Sequence, residues 1–295
     1  MSKALDFRRI AILGPGLLGG SLALAIQKFS PDRKVSLWGR RSSVIEEIRK
    51  RAMADLASTD LGEVLQNADL VILATPVGIM AELCRAIQSS GVITGQCVIT
   101  DVGSVKAPVM NTFSEIFTDS EVICVGSHPM AGSEKMGLDH ARADLFSLAP
   151  CVLTPAAKSN TQSTVAKLEL FWQNIGMRTC VMDAGEHDRL VARISHLPHL
   201  LASVMVEVAF LEGSRAASLA GTGFIDSTRI ASGAPEMWTE ILLENRHAVM
   251  GELKQLQAKL GETLALLEEV DEEGMMSFLA AAKDHRDSIG TRENQ

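Results

Sequence analysis

His128 is the residue whose type and setting first suggest chemistry. It lies in the segment VGSHPMAGSE (residues 125–134), where a proline follows it and small or hydroxylated residues surround it. The preceding run VICVGS predicts a strand, so we expect His128 where that strand ends, whereas a core histidine more often lies within a strand. An imidazole titrates near neutral pH and exchanges protons readily. We therefore predict that His128 moves a proton.

Metal binding is the alternative use of such a histidine. His128, His196 and His199 could form a triad, but no cysteine or carboxylate lies beside them at a recognisable ligand spacing. His196 and His199 flank Pro198 in a helical pattern, so one could cap carbonyls that the proline leaves unpaired and the other could contact a substrate. We expect no catalytic metal.

A glycine-rich turn stands near the start of the chain. In AILGPGLLGGSLALAI, Gly14, Gly16 and Gly19 have GxGxxG spacing between a predicted strand and a predicted helix. The first glycine permits a tight turn, the second lets the backbone approach a pyrophosphate, and the third allows close helix–strand packing. The helix opens with Leu17 and Leu18, and its N-terminus attracts anions. A plain tight turn is the alternative, but this context favours a dinucleotide site.

The turn after the second predicted strand bears on the choice of cofactor. Sites for NAD usually offer an acidic side chain there to the ribose 2′-hydroxyl. The segment GRRSS (39–43) offers Arg40, Arg41 and Ser42 instead, and no carboxylate occurs before Glu46. These residues suit a 2′-phosphate, so we expect NADP as the preferred cofactor, with NAD possible. The alternative is an exposed basic turn that caps the next helix.

Two further strands are expected to end in polar residues. LATPVG places Thr75 and Pro76 at one strand end, and TDVGSVK places Asp101 and Ser104 at the next. Cofactors lie at the carboxyl ends of the strands in sheets of this kind. We therefore expect these residues to converge with His128 on the reactive end of the cofactor.

Arg229 is a candidate for binding a substrate anion. It lies in FIDSTRIASGAPEMW (224–238), which we interpret as a polar loop within a helical region. A lone loop arginine is usually solvated, but this setting among hydroxyl groups, ahead of Trp238, favours a bidentate clamp on a carboxylate.

The elements that position these residues change in type near Asp183. Before it, short β-branched runs alternate with amphipathic helical stretches, which predicts an α/β fold: a Rossmann-type dinucleotide-binding domain over residues 1–183. After it the strand signal disappears, and we expect an all-α dimerisation domain over residues 184–295. Pro198 should kink a long helical pattern near Ile194.

A stripe of leucines runs along a very long predicted helix over residues 249–267. Apolar residues recur there at spacings of three and four, and such a stripe needs a partner helix. An intramolecular bundle is one solution. In so small a helical domain, a second copy of the chain is the favoured partner, so we expect a homodimer through the C-terminal helices.

Composition excludes several classes of partner. The chain has 295 residues and a net charge of −8, which argues against binding to nucleic acid or to an anionic membrane surface. The five cysteines are scattered without a CxxC pair, which favours a reducing cytoplasm. No signal peptide and no apolar run long enough to span a bilayer is expected.

The motifs together resemble those of a known family. GxGxxG, DVGSVK, SHPMAGSE, EHDRLVARISHLPH and DSTRIASGAPEMW…LLEN, in this order, are similar to the prephenate/arogenate dehydrogenase (cyclohexadienyl dehydrogenase) family of tyrosine biosynthesis. The resemblance covers nearly the whole chain. It implies a nicotinamide-binding N-terminal domain, a C-terminal helical domain that interlocks two subunits, and an active site in the cleft between domains.

The resemblance also implies roles for individual residues. His128 would be the catalytic histidine that engages a ring hydroxyl, and Ser104 would bind the same hydroxyl and orient His128. Arg229 would bind a substrate carboxylate, with His196 nearby. The residues that would shape or gate the pocket are Glu134 and Trp238.

The implied reaction is the oxidative decarboxylation of prephenate to 4-hydroxyphenylpyruvate, with hydride transfer to NAD(P). Arogenate is the nearest alternative substrate. A different two-domain dehydrogenase and a non-catalytic dinucleotide sensor are more remote alternatives, and Ser104, His128 and Arg229 argue against the sensor.

Overall fold

The computed structural model describes residues 6–93, 97–132, 135–156, 162–211 and 213–290. The chain divides into two compact units, Met1–Arg246 and His247–Gln295. The expected domain boundary after residue 183 lies where the sheet gives way to helices, and it stays a prediction.

The first unit contains an eight-stranded sheet. The strands are β1 (Arg9–Leu13), β2 (Lys34–Trp38), β3 (Leu56–Ser58), β4 (Leu70–Leu73), β5 (Val98–Asp101), β6 (Ile123–Pro129), β7 (Pro150–Pro155) and β8 (Arg178–Val181). Their spatial order is β3-β2-β1-β4-β5-β6-β7-β8. Neighbouring strands are parallel except for β6 and β7, which pair antiparallel. The predicted Rossmann-type sheet is therefore confirmed, whereas β3 was missed by the sequence analysis.

Helices cover both faces of this sheet. They are α1 (Leu17–Phe29), α2 (Ser42–Lys50), α3 (Leu61–Leu65), α4 (Met80–Ser90), α5 (Ala107–Ile116) and α6 (Gln162–Asn174). Alternate residues of β1 enter opposite cores: Ile10 and Ile12 join apolar residues of α1, α2 and α6, while Ala11 and Leu13 join those of α3, α4 and α5. Burial on both faces explains why these strands are continuously apolar.

The chain from Ala184 to Glu244 is helical. It contains α7 (Ala184–Val191), a π-helix (Ala192–His196), α8 (Leu197–Ala209), α9 (Thr222–Thr228), a 3₁₀-helix (Arg229–Ser232) and α10 (Pro235–Glu244). Near Ile194, where a kink was predicted, the chain forms this π-helix just before Pro198, which lacks an N–H group, and the kink itself stays a prediction. The predicted polar loop is wrong, since most of that segment forms α9 and the 3₁₀-helix.

The second unit is made of two helices, α11 (Arg246–Glu268) and α12 (Glu272–Gly290). The long helix predicted over residues 249–267 is confirmed by α11, and a turn in which Val270 adopts a positive φ of 53° separates α11 from α12. Along α11, Leu260, Leu264 and Leu267 are each more than half exposed. None of the helices in the described ranges has both the length and the apolar character needed to cross a bilayer.

Candidate active site

A cavity of about 740 Å³ opens at the carboxyl ends of the central strands, within the unit Met1–Arg246. One side consists of the segments that follow β1, β4 and β5 together with the end of β6, and the π-helix, the 3₁₀-helix and α10 form the other. Its volume suits a small-molecule site. The predicted site residues in its wall are Gly16, Leu17, Leu18, Thr75, Pro76, Ser104, His128, His196, Arg229 and Trp238.

The glycine loop shapes one end of the cavity. Gly14 has a φ of +116°, and a Cβ there would collide with the carbonyl of Ala74. A Cβ on Gly19 would collide with the carbonyl oxygen of Gly14, so this glycine lets α1 pack on the loop. Gly16 differs, because a Cβ there would meet nothing within 4 Å. Gly14 and Gly19 therefore serve the fold of the loop, while Gly16 borders the space that a ligand can enter.

The residues around this loop fit a dinucleotide. Gly16 is the N-cap of α1 and makes no side-chain cap, so the first N–H groups of α1 remain available to an anion such as a pyrophosphate. Across the cavity wall, the Thr75 Oγ1 is buried and has no hydrogen-bond partner among the described residues. An unpartnered buried hydroxyl is costly unless a ligand satisfies it.

The turn after β2 lies outside the cavity wall but next to the glycine loop. The Gly14 N–H donates to the Trp38 carbonyl over 3.0 Å, which ties the loop to the end of β2. Arg40, Arg41 and Ser42 follow on the surface, and the described residues provide no ion pair for either guanidinium. This turn therefore offers exposed cations beside the loop.

Asp101 corrects one expectation. It has no exposed surface, so its side chain cannot contact a cofactor. Its carboxylate accepts hydrogen bonds from the N–H groups of Gly103 and Ser127 over 2.7 and 3.1 Å and forms a buried ion pair with Lys106. A fully buried ammonium needs such a partner, which turns the Asp101 side chain inward. Asp101 joins β5 to β6 beside the cavity.

His128 is the last but one residue of β6, so it lies at the strand end as predicted, although the strand continues to Pro129. It pairs with Val152 of the antiparallel strand β7, and only 9% of its surface is exposed. Its Nδ1 atom is 2.8 Å from Nε2 of His187. The antiparallel addition of β7 lengthens β6 past the point where the sequence pattern predicted its end.

The surroundings of His128 keep it neutral. Burial is the main cause that lowers its pKa well below the ordinary value of 6.5, and His187, Lys106 and His196 lower it further. A charged imidazole in this position would lose its hydration and face other cationic groups. At neutral pH the imidazole is therefore uncharged and can act as a base.

The rings of His196, His199 and Trp238 form another part of the site. Trp238 stacks on His199 with ring centroids 3.6 Å apart, and it meets His196 edge-on at 6.2 Å. Gly233 packs against Trp238 so closely that a Cβ there would collide with the indole. Burial lowers the pKa of His196 to about 4, so this ring is neutral as well. In the described part of the chain, no group of three or more His, Cys, Asp or Glu side chains is arranged to hold a metal.

Ser104 and Arg229 line the cavity without strong partners of their own. No hydrogen bond joins Ser104 to His128 among the described residues, and His128 is instead held by His187. Arg229 is the first residue of the 3₁₀-helix, is exposed, and has no ion pair in the described part of the chain. Its guanidinium is therefore available to an anion in the cavity. Glu134, which was predicted to shape the pocket, lies outside the described residues.

A buried polar network that the sequence did not predict lies behind His128. His187 and Asp188, in the quoted motif EHDRLVARISHLPH, join this network together with Asn245 at the end of α10. The available signal was helical spacing: His187 lies four residues before Val191 on the buried face of α7. A titratable residue on an apolar helix face indicates a buried polar contact.

Comparisons with known proteins agree with this arrangement. The model of the prephenate dehydrogenase nucleotide-binding domain matches residues 22–181, and that of the prephenate dehydrogenase dimerization domain matches residues 183–281. A cyclohexadienyl dehydrogenase from Zymomonas mobilis is 32% identical over 289 residues, which cover 97% of each chain.

Two solved structures share the fold over nearly their whole length. Prephenate dehydrogenase from A. aeolicus, in complex with hydroxyphenyl propionate and NAD+, has a TM-score of 0.88 at 26% identity and covers 97% of this chain and 100% of that one. Synechocystis arogenate dehydrogenase has a TM-score of 0.83 at 27% identity and covers 95% and 99%. The chain therefore belongs to the prephenate dehydrogenase family of NAD(P)-dependent oxidoreductases.

Proposed function

We propose that this chain converts prephenate to 4-hydroxyphenylpyruvate and carbon dioxide with a nicotinamide dinucleotide as oxidant. One observation carries the proposal: a neutral, buried His128 shares a single cavity with the open N-terminus of α1 and with the unpaired Arg229. A base, a dinucleotide site and a carboxylate anchor are the three parts that this reaction needs.

His128 acts on the ring hydroxyl of prephenate. A bound nicotinamide supplies the acceptor for the hydride that leaves the alcohol carbon. As this hydride leaves, His128 takes the hydroxyl proton, and Ser104 hydrogen-bonds the same oxygen. Loss of carbon dioxide from the quaternary carbon then returns an electron pair to the ring, which becomes aromatic. The oxygen ends as a phenol, so His128 returns the proton that it took.

Arg229 and His196 hold the carboxylates of the substrate. A guanidinium grips a carboxylate with two parallel hydrogen bonds, and a neutral imidazole adds one donor. Trp238, fixed by its stack on His199, covers the ring of the substrate. This anchoring keeps the reacting carbon in one orientation, which is the main contribution of binding groups to the rate.

Arogenate is the second candidate substrate. It carries an ammonium group where prephenate has a keto group, and the cavity wall includes the carboxylates of Glu236 and Glu244. A carboxylate forms a charge-assisted hydrogen bond with an ammonium group. The fold is also that of the Synechocystis arogenate dehydrogenase.

We further propose that NADP is preferred over NAD. Pro15 packs so closely on Gly39 that a Cβ there would lie 2.7 Å from its ring, so this position excludes the acidic side chain that favours a free ribose. Arg40 and Arg41 are exposed, and Ser42 opens α2 without a side-chain cap. A 2′-phosphate would gain both cations and the free N–H groups of α2.

The proposed active form is a homodimer through the C-terminal helices. The family model that matches residues 183–281 is described as a dimerization domain. Large apolar side chains on α8, α11 and α12 are exposed in the single chain, including Val208, Leu264 and Phe278. Exposed apolar surface on a helical region favours a second copy.

Initial rates with prephenate and arogenate, each with NAD and with NADP, test the function. We expect reduced cofactor and 4-hydroxyphenylpyruvate to form in equal amounts from prephenate, and NADP to give the higher kcat/KM. His128→Asn is the matched control and should retain substrate binding while kcat falls by about 10²–10⁴-fold. Absence of cofactor reduction with both substrates would overturn the proposal.

A further inference from the structure

We propose that Asp188, His187 and Asn245 are positioning residues that fix opposite tautomers of the two cavity histidines. His128 then presents a lone pair at Nε2, and His196 presents an N–H group at Nε2. This inference rests on the proposed function, because it assigns the base and the neutral donor of that reaction.

The network begins at a carboxylate that can only accept. Asp188 Oδ1 accepts a hydrogen bond from the backbone N–H of Lys106 over 2.7 Å, and Oδ2 accepts one from the backbone N–H of Ala107 over 2.8 Å. Ala107 is the first residue of α5, so the carboxylate also lies at the positive end of this helix. Backbone N–H groups can only donate, so both Asp188 oxygens act as acceptors.

His187 transmits this constraint to His128. Its Nδ1 is 2.8 Å from Asp188 Oδ1, so Nδ1 carries the proton and donates. His187 is fully buried, and its two ring nitrogens have Asp188 and His128 as partners. In the proposed arrangement His187 carries one ring proton, at Nδ1, so its Nε2 accepts a hydrogen bond from Nδ1 of His128 over 2.8 Å. His128 must donate from Nδ1, so its Nε2 is the free base.

Asn245 fixes His196 in the tautomer opposite to that of His128. Its Nδ2 donates to the backbone carbonyl oxygen of Asp188 over 2.8 Å. If the amide were flipped, its own oxygen would face this carbonyl oxygen, and the two acceptors would repel each other. The same Nδ2 lies 3.1 Å from Nδ1 of His196 and supplies its second hydrogen. The Nδ1 of His196 therefore accepts, and its Nε2 carries the proton.

Burial of the network keeps the two histidines in their proposed tautomers. His187, His196, Asp188 and Asn245 are each at most 5% exposed, so bulk water does not reach them to stabilise the other tautomers. Two neutral imidazoles in one cavity thus differ in role: His128 takes a proton from the ring hydroxyl, and His196 donates to a carboxylate. The motif residues that place them, His187 and Asp188, never touch the substrate.

Two substitutions of His187 distinguish a positioning role of this side chain from a role in folding. Glutamine has an acceptor and a donor at one planar end, as imidazole does, so His187→Gln should keep kcat within about threefold of wild type. His187→Leu fills similar space without polar atoms and leaves His128 free to exchange tautomers. Its kcat should fall by about 10- to 100-fold, while KM for substrate and cofactor changes by less than about threefold.

Nitrogen-15 NMR of the full chain labelled at its seven histidines reads the tautomers without any turnover. We expect His128 protonated at Nδ1 and His196 at Nε2 in the wild type, assigned by His128→Asn and His196→Asn. In His187→Leu the His128 signals should move to those of mixed tautomers. In Asn245→Leu the His196 signals should do so.

Several outcomes would overturn the inference. They are an Nε2-protonated His128, a protonated His187, or a folded His187→Leu protein with wild-type kcat. Equal loss of activity in His187→Gln and His187→Leu, with His128 in its native tautomer in both, would also contradict it. If the chain acted on another substrate, the wild-type spectra would be unchanged, so failure of the proposed function remains distinguishable.

Discussion

At the scale of single residues, the environment of His128 decides the pH range in which it accepts a proton. Burial, His187, Lys106 and His196 all lower its pKa below 6.5, so the neutral base survives until the pH falls through that lowered value. We expect the acidic limb of kcat/KM to lie below pH 6.5. Rates measured between about pH 5 and pH 8 test this. A limb at or above 6.5, with no other group responsible, would contradict the assignment.

Arg229 is a residue whose function can be separated from folding. It is exposed and has no ion pair in the described part of the chain, so Arg229→Ala should leave thermal stability nearly unchanged. Loss of a charge-assisted hydrogen bond costs about 1.5–3 kcal/mol, which corresponds to a rise in KM for prephenate of roughly 10- to 100-fold. The Kd of the cofactor should not change. Arg215→Ala, exposed and outside the cavity wall, is the control. A parallel loss of cofactor affinity would move Arg229 to the nucleotide site.

At the scale of elements, the turn between β1 and α1 contains one glycine that borders the ligand space and another that is needed for packing. A Cβ on Gly16 meets no protein atom within 4 Å, whereas a Cβ on Gly19 collides with the Gly14 carbonyl. Gly16→Ala should therefore keep Tm within about 4 °C of wild type while the cofactor affinity falls by about tenfold or more. Gly19→Ala should lower Tm. Calorimetry and cofactor titration of both variants measure this, and an unaltered affinity in Gly16→Ala would show that no ligand approaches there.

The turn after β2 is the element that should distinguish the two cofactors. Arg40→Ala combined with Arg41→Ala should abolish the preference for NADP and leave kcat/KM with NAD largely intact, because a free ribose does not need these cations. Lys50→Ala removes an exposed cation at the far end of α2, away from the turn, and serves as the control. Equal kcat/KM values for NAD and NADP in the wild type would mean that both arginines face solvent.

Some of these elements could be predicted from the sequence and others could not. The start of α1 was predictable, since a glycine turn comes just before it and a continuous apolar pattern follows. The segment of α9 was misread because Gly, Ser and Thr favour turns, and the three-residue strand β3 is too short to show periodicity. The partner of His128 was not predictable, because His187 lies 59 residues away and meets it only through tertiary packing.

At the scale of the whole molecule, the apolar residues of α11 and α12 remain to be covered. On α11, Leu260, Leu264 and Leu267 follow the spacing of one helix face and are each more than half exposed, and Met276 and Leu279 on α12 are exposed as well. Monomeric proteins rarely leave such contiguous apolar surface in water. The matching dimerization-domain model includes all these residues.

The last prediction is that these helices hold two copies of the chain together. Leu260→Glu combined with Leu264→Glu would place two charges in an apolar interface, where each loses hydration without gaining a partner. Light scattering at about 1–10 µM, the range in which stable dimers persist, should give a dimer for the wild type and a monomer for the double variant. Gln255→Glu adds a charge at an exposed polar position of α11 and should stay dimeric. A monomeric wild type, or a double variant that still dimerises, would mean that the leucine face serves another contact. Because the cavity lies wholly within Met1–Arg246, residual activity of a folded monomer would also show whether one chain suffices for the reaction.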